Sequence, residues 1–373
     1  MALKAVGSLS VAECRAERVL DHLVESGYGG SVYGYAGGLQ NVLFGSGNAE
    51  SQRCLRWLKQ KDKLKQDVFL VSEGGPVGRW LALHYCAMYN KPFQYLSLTR
   101  DTCESDLKQR REIVKGHSVF TDQAVLHAAL NGHILILEGL EKAERNVLPV
   151  LNNLLENREM ALEDGRFLIS PERFASLLKN PTGGRSYTEE ELKQRGLIPV
   201  HENFRVIAIG LPVPPFAGNP LDPPLRSRFQ SCNIANIPIS FLYSIIKTFH
   251  APSEEAQQAI KVLLRVVTEL RTAGHQRANE AGVENQLIAF HHLPQVGEVG
   301  LLSSARTCEL FPQTNLQAIL SRIYPWRFAV TNEKAIDLIM TCIQPTQDPA
   351  SQKREDSSQF LFLGALRAPE MFS

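Results

Sequence analysis

Short, continuous apolar runs set apart by helical patterns constrain this chain more than any other feature. Residues 67–71 (DVFLV), 92–99 (PFQYLSLT), 133–138 (HILILE) and 204–212 (FRVIAIGLP) have the length of strands. Residues 80–89 (WLALHYCAMY), 120–130 (FTDQAVLHAAL) and 143–156 (AERNVLPVLNNLLE) lie between them and read as helices. A strand that is apolar at nearly every position must be covered on both faces, and strands joined through a helical crossover run parallel. The expectation is an α/β core with a parallel sheet and helices on both faces, over residues 48–236.

The rest of the chain reads differently. Residues 254–270 (EEAQQAIKVLLRVVTEL), 315–324 (NLQAILSRIY) and 333–343 (EKAIDLIMTCI) repeat their apolar positions at helical spacing, so residues 237–345 are expected to form a helical lid. Residues 1–47 form a flexible lead-in rich in Gly and Tyr, and 346–373 a polar tail with the composition of a disordered segment.

Charge and cysteine usage exclude several function classes. Forty basic residues against 39 acidic ones leave no electrostatic footprint for nucleic acid or an anionic membrane. The local run Lys108-Gln109-Arg110-Arg111 is read as a solvated helix face. No apolar stretch approaches the ~20 residues that cross a bilayer, so no membrane span is expected. The seven cysteines are odd in number and scattered without a CxxC pair. That pattern fits a reducing compartment and argues against a disulfide framework or a zinc site. His291-His292 has no second ligand pair at metal spacing.

The chemistry concentrates where the first strand ends, in Ser72-Glu73-Gly74-Gly75-Pro76-Val77-Gly78-Arg79-Trp80. A Gly-rich turn between a strand and a helix cradles phosphates with backbone N–H groups; a lysine then reaches the β/γ-phosphates and a Ser/Thr hydroxyl holds Mg²⁺. Two registers are open here. If Gly78 is the last glycine, Arg79 takes the lysine position and Trp80 the hydroxyl position. If Gly75 takes the earlier glycine, those positions fall to Gly78 and Arg79. Both registers lack the hydroxyl.

Further along, four apolar residues lead to Glu138, as in a strand whose first acid holds Mg²⁺ and whose second polarises water. The second position is Gly139, and Glu141 is read as a solvent-facing helix start. The strand FRVIAIG ends at Leu211, where a polar water-positioning residue commonly stands, and NPLDPPLRSRFQ places Arg226 and Arg228 just before a phenylalanine.

Strand and phosphate loop, apolar strand with an acid, apolar strand, LxxRF and then a helical lid: in that order the chain resembles an AAA+ module of the MoxR/dynein-related branch. It resembles more closely the first module of a family of long chains in that branch, which carry later AAA+ modules and a C-terminal von Willebrand A domain. The resemblance implies a P-loop AAA+ fold that binds ATP, with Mg²⁺, between core and lid. It places Gly74, Gly75, Gly78 and Arg79 in the phosphate loop and Glu138 at the Mg²⁺-side acid. Arg228, or Arg226, falls at the arginine finger presented to a neighbouring AAA+ module packed head-to-tail. It further implies a mitochondrial chain. The missing lysine, second acid and polar sensor make hydrolysis doubtful. The expectation is a module that binds nucleotide weakly and works by assembly, against the alternatives of an active ATPase subunit or a nucleotide-independent scaffold.

Overall fold

In a computed structural model the described residues are 48–72, 75–144, 146–179, 187–213, 216–235, 237–238, 241–243, 253–280, 297–311, 316–323, 336 and 340. The lead-in, the tail, Gly74 and the His291-His292 pair lie outside them.

In chain order the first elements are α1 (Ala49–Lys63), β1 (Val68–Ser72), α2 (Val77–Met88), β2 (Phe93–Ser97) and α3 (Glu104–Leu107). A hairpin of β3 (Gln109–Val114) and β4 (His117–Asp122) precedes α4 (Ala124–Asn131), β5 (Ile134–Glu138) and α5 (Pro149–Glu156). Then come β6 (Met160–Ala161), β7 (Phe167–Ile169), α6 (Pro171–Lys179), α7 (Glu189–Gln194), β8 (Leu197–Pro199), β9 (Arg205–Gly210), α8 (Pro223–Arg228) and β10 (Gln230–Ile234).

Five strands form one sheet in the order β10-β1-β9-β5-β2, and every neighbouring pair is parallel. Alternation along the strands sorts the core into two layers. Phe69, Leu135, Leu137, Val206 and Ala208 pack with residues of α4 and α5, such as Leu126 and Leu151. The intervening Leu70, Ile134, Ile136, Ile207 and Ile209 are also buried, and α2 lies against β1, β5 and β9. The α/β sheet with helices on both faces is therefore the fold of this unit. Strands β6, β7 and β8 make a second, smaller sheet.

One expected helix is shorter than its sequence pattern. Residues 120–122 belong to β4, and the run Lys108–Arg111, expected on a helix, enters β3 instead. The cause is the turn. Lys115 and Gly116 both have positive φ, 52° and 80°, the two-residue geometry whose twist joins antiparallel strands. Arg110 and Arg111 stay exposed, as expected, but on a ribbon.

The described residues fall into two compact units: 48–243 with Gly297–Val299, and those from 253–280 together with the ones after Val299. In the second, helix α9 (Glu254–Glu280) carries buried Ala256, Ile260, Leu263 and Val267 at helical spacing. Helices α10 (Glu298–Leu310) and α11 (Leu316–Ile323) follow.

Candidate functional site

Parallel strands bring the carboxyl ends of β1, β5 and β9 to one edge of the sheet, the edge where ligands of open α/β sheets sit. The turn after β1 closes there. Gly75 has φ +83°, and a Cβ on it would stand 3.1 Å from a carboxylate oxygen of Glu298, which packs with this unit. Helix α2 follows Pro76, its N-cap, with no side-chain cap, and its first bond runs from Trp80 N–H to the Pro76 carbonyl. The N–H groups ahead of that bond have no acceptor within the helix. Gly78 packs tightly, since a Cβ there would lie 3.0 Å from Ile209 Cγ2. Unbonded N–H groups at the start of a helix are the kind of donor that an anion meets.

The side chains around it do something else. Arg79 Nε lies 2.9 Å from Glu138 Oε2, and the Tyr95 hydroxyl donates to that same oxygen. Topology explains the meeting. Tyr95 pairs with Ile136 across β2 and β5, so it shares a face with Glu138, and α2 covers that face. Burial, and then the bond to Glu138, push the Tyr95 hydroxyl well above its ordinary pKa, so it stays a donor. The acid expected on the metal side is thus held by a cation and a phenol.

Gly139 has φ +88°, and a Cβ on it would stand 3.0 Å from the Leu98 carbonyl oxygen. The left-handed turn folds the following residues back under β9. Glu141 is consequently buried, not a solvent-facing helix start: Leu211 N–H donates to its Oε2 at 3.2 Å, and Asn219 N–H donates to its carbonyl at 2.7 Å. Glu141 tethers the chain after β9.

These residues do not fit a magnesium ion. The hydroxyl is missing, and a guanidinium already stands at Glu138, where it opposes a second cation. Among the described residues no group of three His, Cys, Asp or Glu could hold a metal.

The two arginines lie at the opposite, amino end of the sheet. Arg226 is exposed. Arg228 pairs with Glu156 and donates to the Pro224 carbonyl. Beside it opens a polar cleft of about 500 Å³, lined by Lys65, Asp67, Glu156, Arg158, Glu172 and Arg228 among others. Asp67 anchors its floor: Val206 N–H donates to it at 2.8 Å, and Arg158 pairs with it at 2.8 Å. The loop and the arginines, read as parts of one kind of machinery, are therefore not brought together within the chain. Neither the cleft nor the roles of Tyr95, Glu156 and Glu298 were visible in the sequence, because each contact is long-range.

Residues 67–229 match the AAA domain of the dynein-related subfamily, and this segment is an AAA module of that branch. The chain is similar to von Willebrand factor A domain-containing protein 8 of Mus musculus, at 44% identity over 298 residues. That match covers 79% of this chain and 14% of the mouse protein, so the chain corresponds to a small part of its relative. Among solved structures, NtrX from Brucella abortus in complex with ADP is a distant likeness, with 12% identity and a TM-score of 0.42 over 81% of this chain and 60% of that one.

Proposed function

We propose that this chain is a nucleotide-binding AAA+ module that does not hydrolyse ATP and works by assembly, presenting Arg228 to the nucleotide of a neighbouring AAA+ module. The observation that carries the reading is the Arg79–Glu138–Tyr95 cluster. It occupies the acid that a hydrolytic site needs for its metal, and Gly139 supplies no base beside it.

The geometry favours a head-to-tail arrangement. The chain's own phosphate turn lies at the carboxyl end of the sheet, while Arg228 and its cleft lie at the amino end. Two different surfaces that meet across a contact form a heterologous interface, which closes into a ring or runs on as a filament. A cleft of about 500 Å³ is in the size range of ligand sites and has room for a neighbour's phosphates beside Arg228.

The reading is tested by measuring binding and turnover separately on the purified chain. Nucleotide should bind through the backbone of the turn, so its Kd should be the same in EDTA and in excess Mg²⁺. A Kd that tightens tenfold or more with Mg²⁺ overturns the assignment.

Glu298 gives a second test. Its carboxylate stands at Gly75, where it repels a phosphate. Glu298→Gln removes that charge and keeps the shape, and should tighten nucleotide binding by roughly tenfold. The measurement is a titration with a fluorescent ATP analogue, wild type against variant. Unchanged affinity means that phosphate does not enter this turn.

A further inference from the structure

Two thiols that the sequence keeps far apart meet inside the core. Cys54 on α1 and Cys232 on β10 are 178 positions apart, yet their sulfurs stand 4.0 Å from each other. Both are buried, at 1% and 7% exposure, and both are free thiols. Cys232 sits midway along the edge strand, opposite Leu70 of β1, and α1 packs on that strand. A disulfide needs sulfurs at about 2 Å. The two sulfurs must therefore approach by about half their present separation.

We infer that Cys54 and Cys232 are a site of two-electron oxidation by hydroperoxides, forming a disulfide that joins α1 to β10. The thiolate of Cys232 attacks the distal oxygen of hydrogen peroxide, the O–O bond breaks, and a sulfenic acid and one water result. The Cys54 sulfur then displaces the hydroxyl of that sulfenic acid, releasing a second water. Two thiols and one peroxide thus become one disulfide and two waters. Each sulfur loses one electron, and the two peroxide oxygens gain them.

The division of roles follows from the surroundings. The two thiols share one weak contact in which either sulfur can donate; with Cys54 as the donor and Arg53 adding a positive charge, against burial and Glu50, the Cys232 thiol comes down to about 7. The bond to Cys232 and burial push the Cys54 thiol well above the ordinary range. Cys232 is also the more exposed of the two. It is the nucleophile, and Cys54 resolves the sulfenic acid.

Such a bond closes a loop around most of the α/β core and fixes the strand that follows α8, the helix bearing Arg228. Only a reducing environment leaves the two elements joined by packing alone. The inference does not depend on the proposed nucleotide chemistry.

The test uses the full chain in a Cys103→Ser background, which removes an exposed competing thiol. Brief treatment with hydrogen peroxide should remove two titratable thiols. Peptide mapping without reductant should join the peptides that hold Cys54 and Cys232, and dithiothreitol should release them. The oxidised chain should melt several degrees higher than the reduced one. In Cys54→Ser the reaction should stop at a sulfenic acid on Cys232, trapped by a 1,3-dione reagent. Wild-type chain whose peroxide-treated digest holds no linked 54–232 peptide overturns the inference, and so does trapping of the sulfenic acid at Cys54 in Cys232→Ser at the wild-type rate.

Discussion

Substituting Arg228 by alanine is expected to lower the ATPase rate of an assembled partner module by about 10³-fold or more, with the complex still intact. The size of the effect comes from where a finger acts. Its guanidinium meets charge that develops on the transferred phosphoryl group, in a site from which water is excluded, and that contact is absent in the ground state. In the free chain the same guanidinium is held by Glu156 and by the Pro224 carbonyl. Assembly must therefore exchange one carboxylate for another anion, the neighbour's phosphate. Glu156→Gln weakens the resting pair and should leave stimulation at least as high as in the wild type. Arg226→Ala, two residues earlier and exposed, should change it little. The assay mixes the chain with an active AAA+ partner, follows phosphate release, and checks the complex by sedimentation. If Arg228→Ala stimulates as well as the wild type, the helper reading is wrong, and a scaffold independent of nucleotide takes its place.

The parts of the fold that were legible in the sequence share one physical property. Strands β1, β5 and β9 are covered on both faces, so their residues are apolar in succession and need no partner to be recognised. The β3–β4 hairpin is the opposite case. It is exposed along most of its length, so its charged positions resemble a solvated helix. The signal that could have found it was Lys115-Gly116 between β-branched residues: Ile113, Val114 and Val119. The candidate site was half legible. Its backbone, a Gly-rich turn between strand and helix, is local and was read directly. Its electrostatics are not local. Arg79 and Glu138 meet because α2, which follows β1, lies across β9 and β5, and Tyr95 joins them from the edge strand β2. Glu141 was misread because the reversal at Gly139 depends on a left-handed φ that the letter G permits but does not announce.

That same reversal underlies the other large effect. Purified chain should turn over ATP at least 10²- to 10⁴-fold more slowly than a site with a positioned general base, the factor such a base contributes. Restoring the acid by Gly139→Glu should not repair it. A side chain at residue 139 must adopt φ +88°, and its Cβ would press to 3.0 Å on the Leu98 carbonyl oxygen, an atom of the backbone that cannot step aside cheaply. Strain of this kind costs on the order of 1–3 kcal/mol, so the variant should melt earlier while remaining inactive. Glu138→Gln should likewise leave the low rate unchanged. It keeps a hydrogen-bond acceptor for Tyr95 but removes the charge that pairs with Arg79 and that a metal would need. Thermal melts of Gly139→Glu alongside single-turnover assays of both variants separate the cases. Hydrolysis at ordinary AAA+ rates in the wild type, abolished by Glu138→Gln, would mean that the Arg79 pair opens to admit the metal, and the site would then be a hydrolytic one held shut at rest.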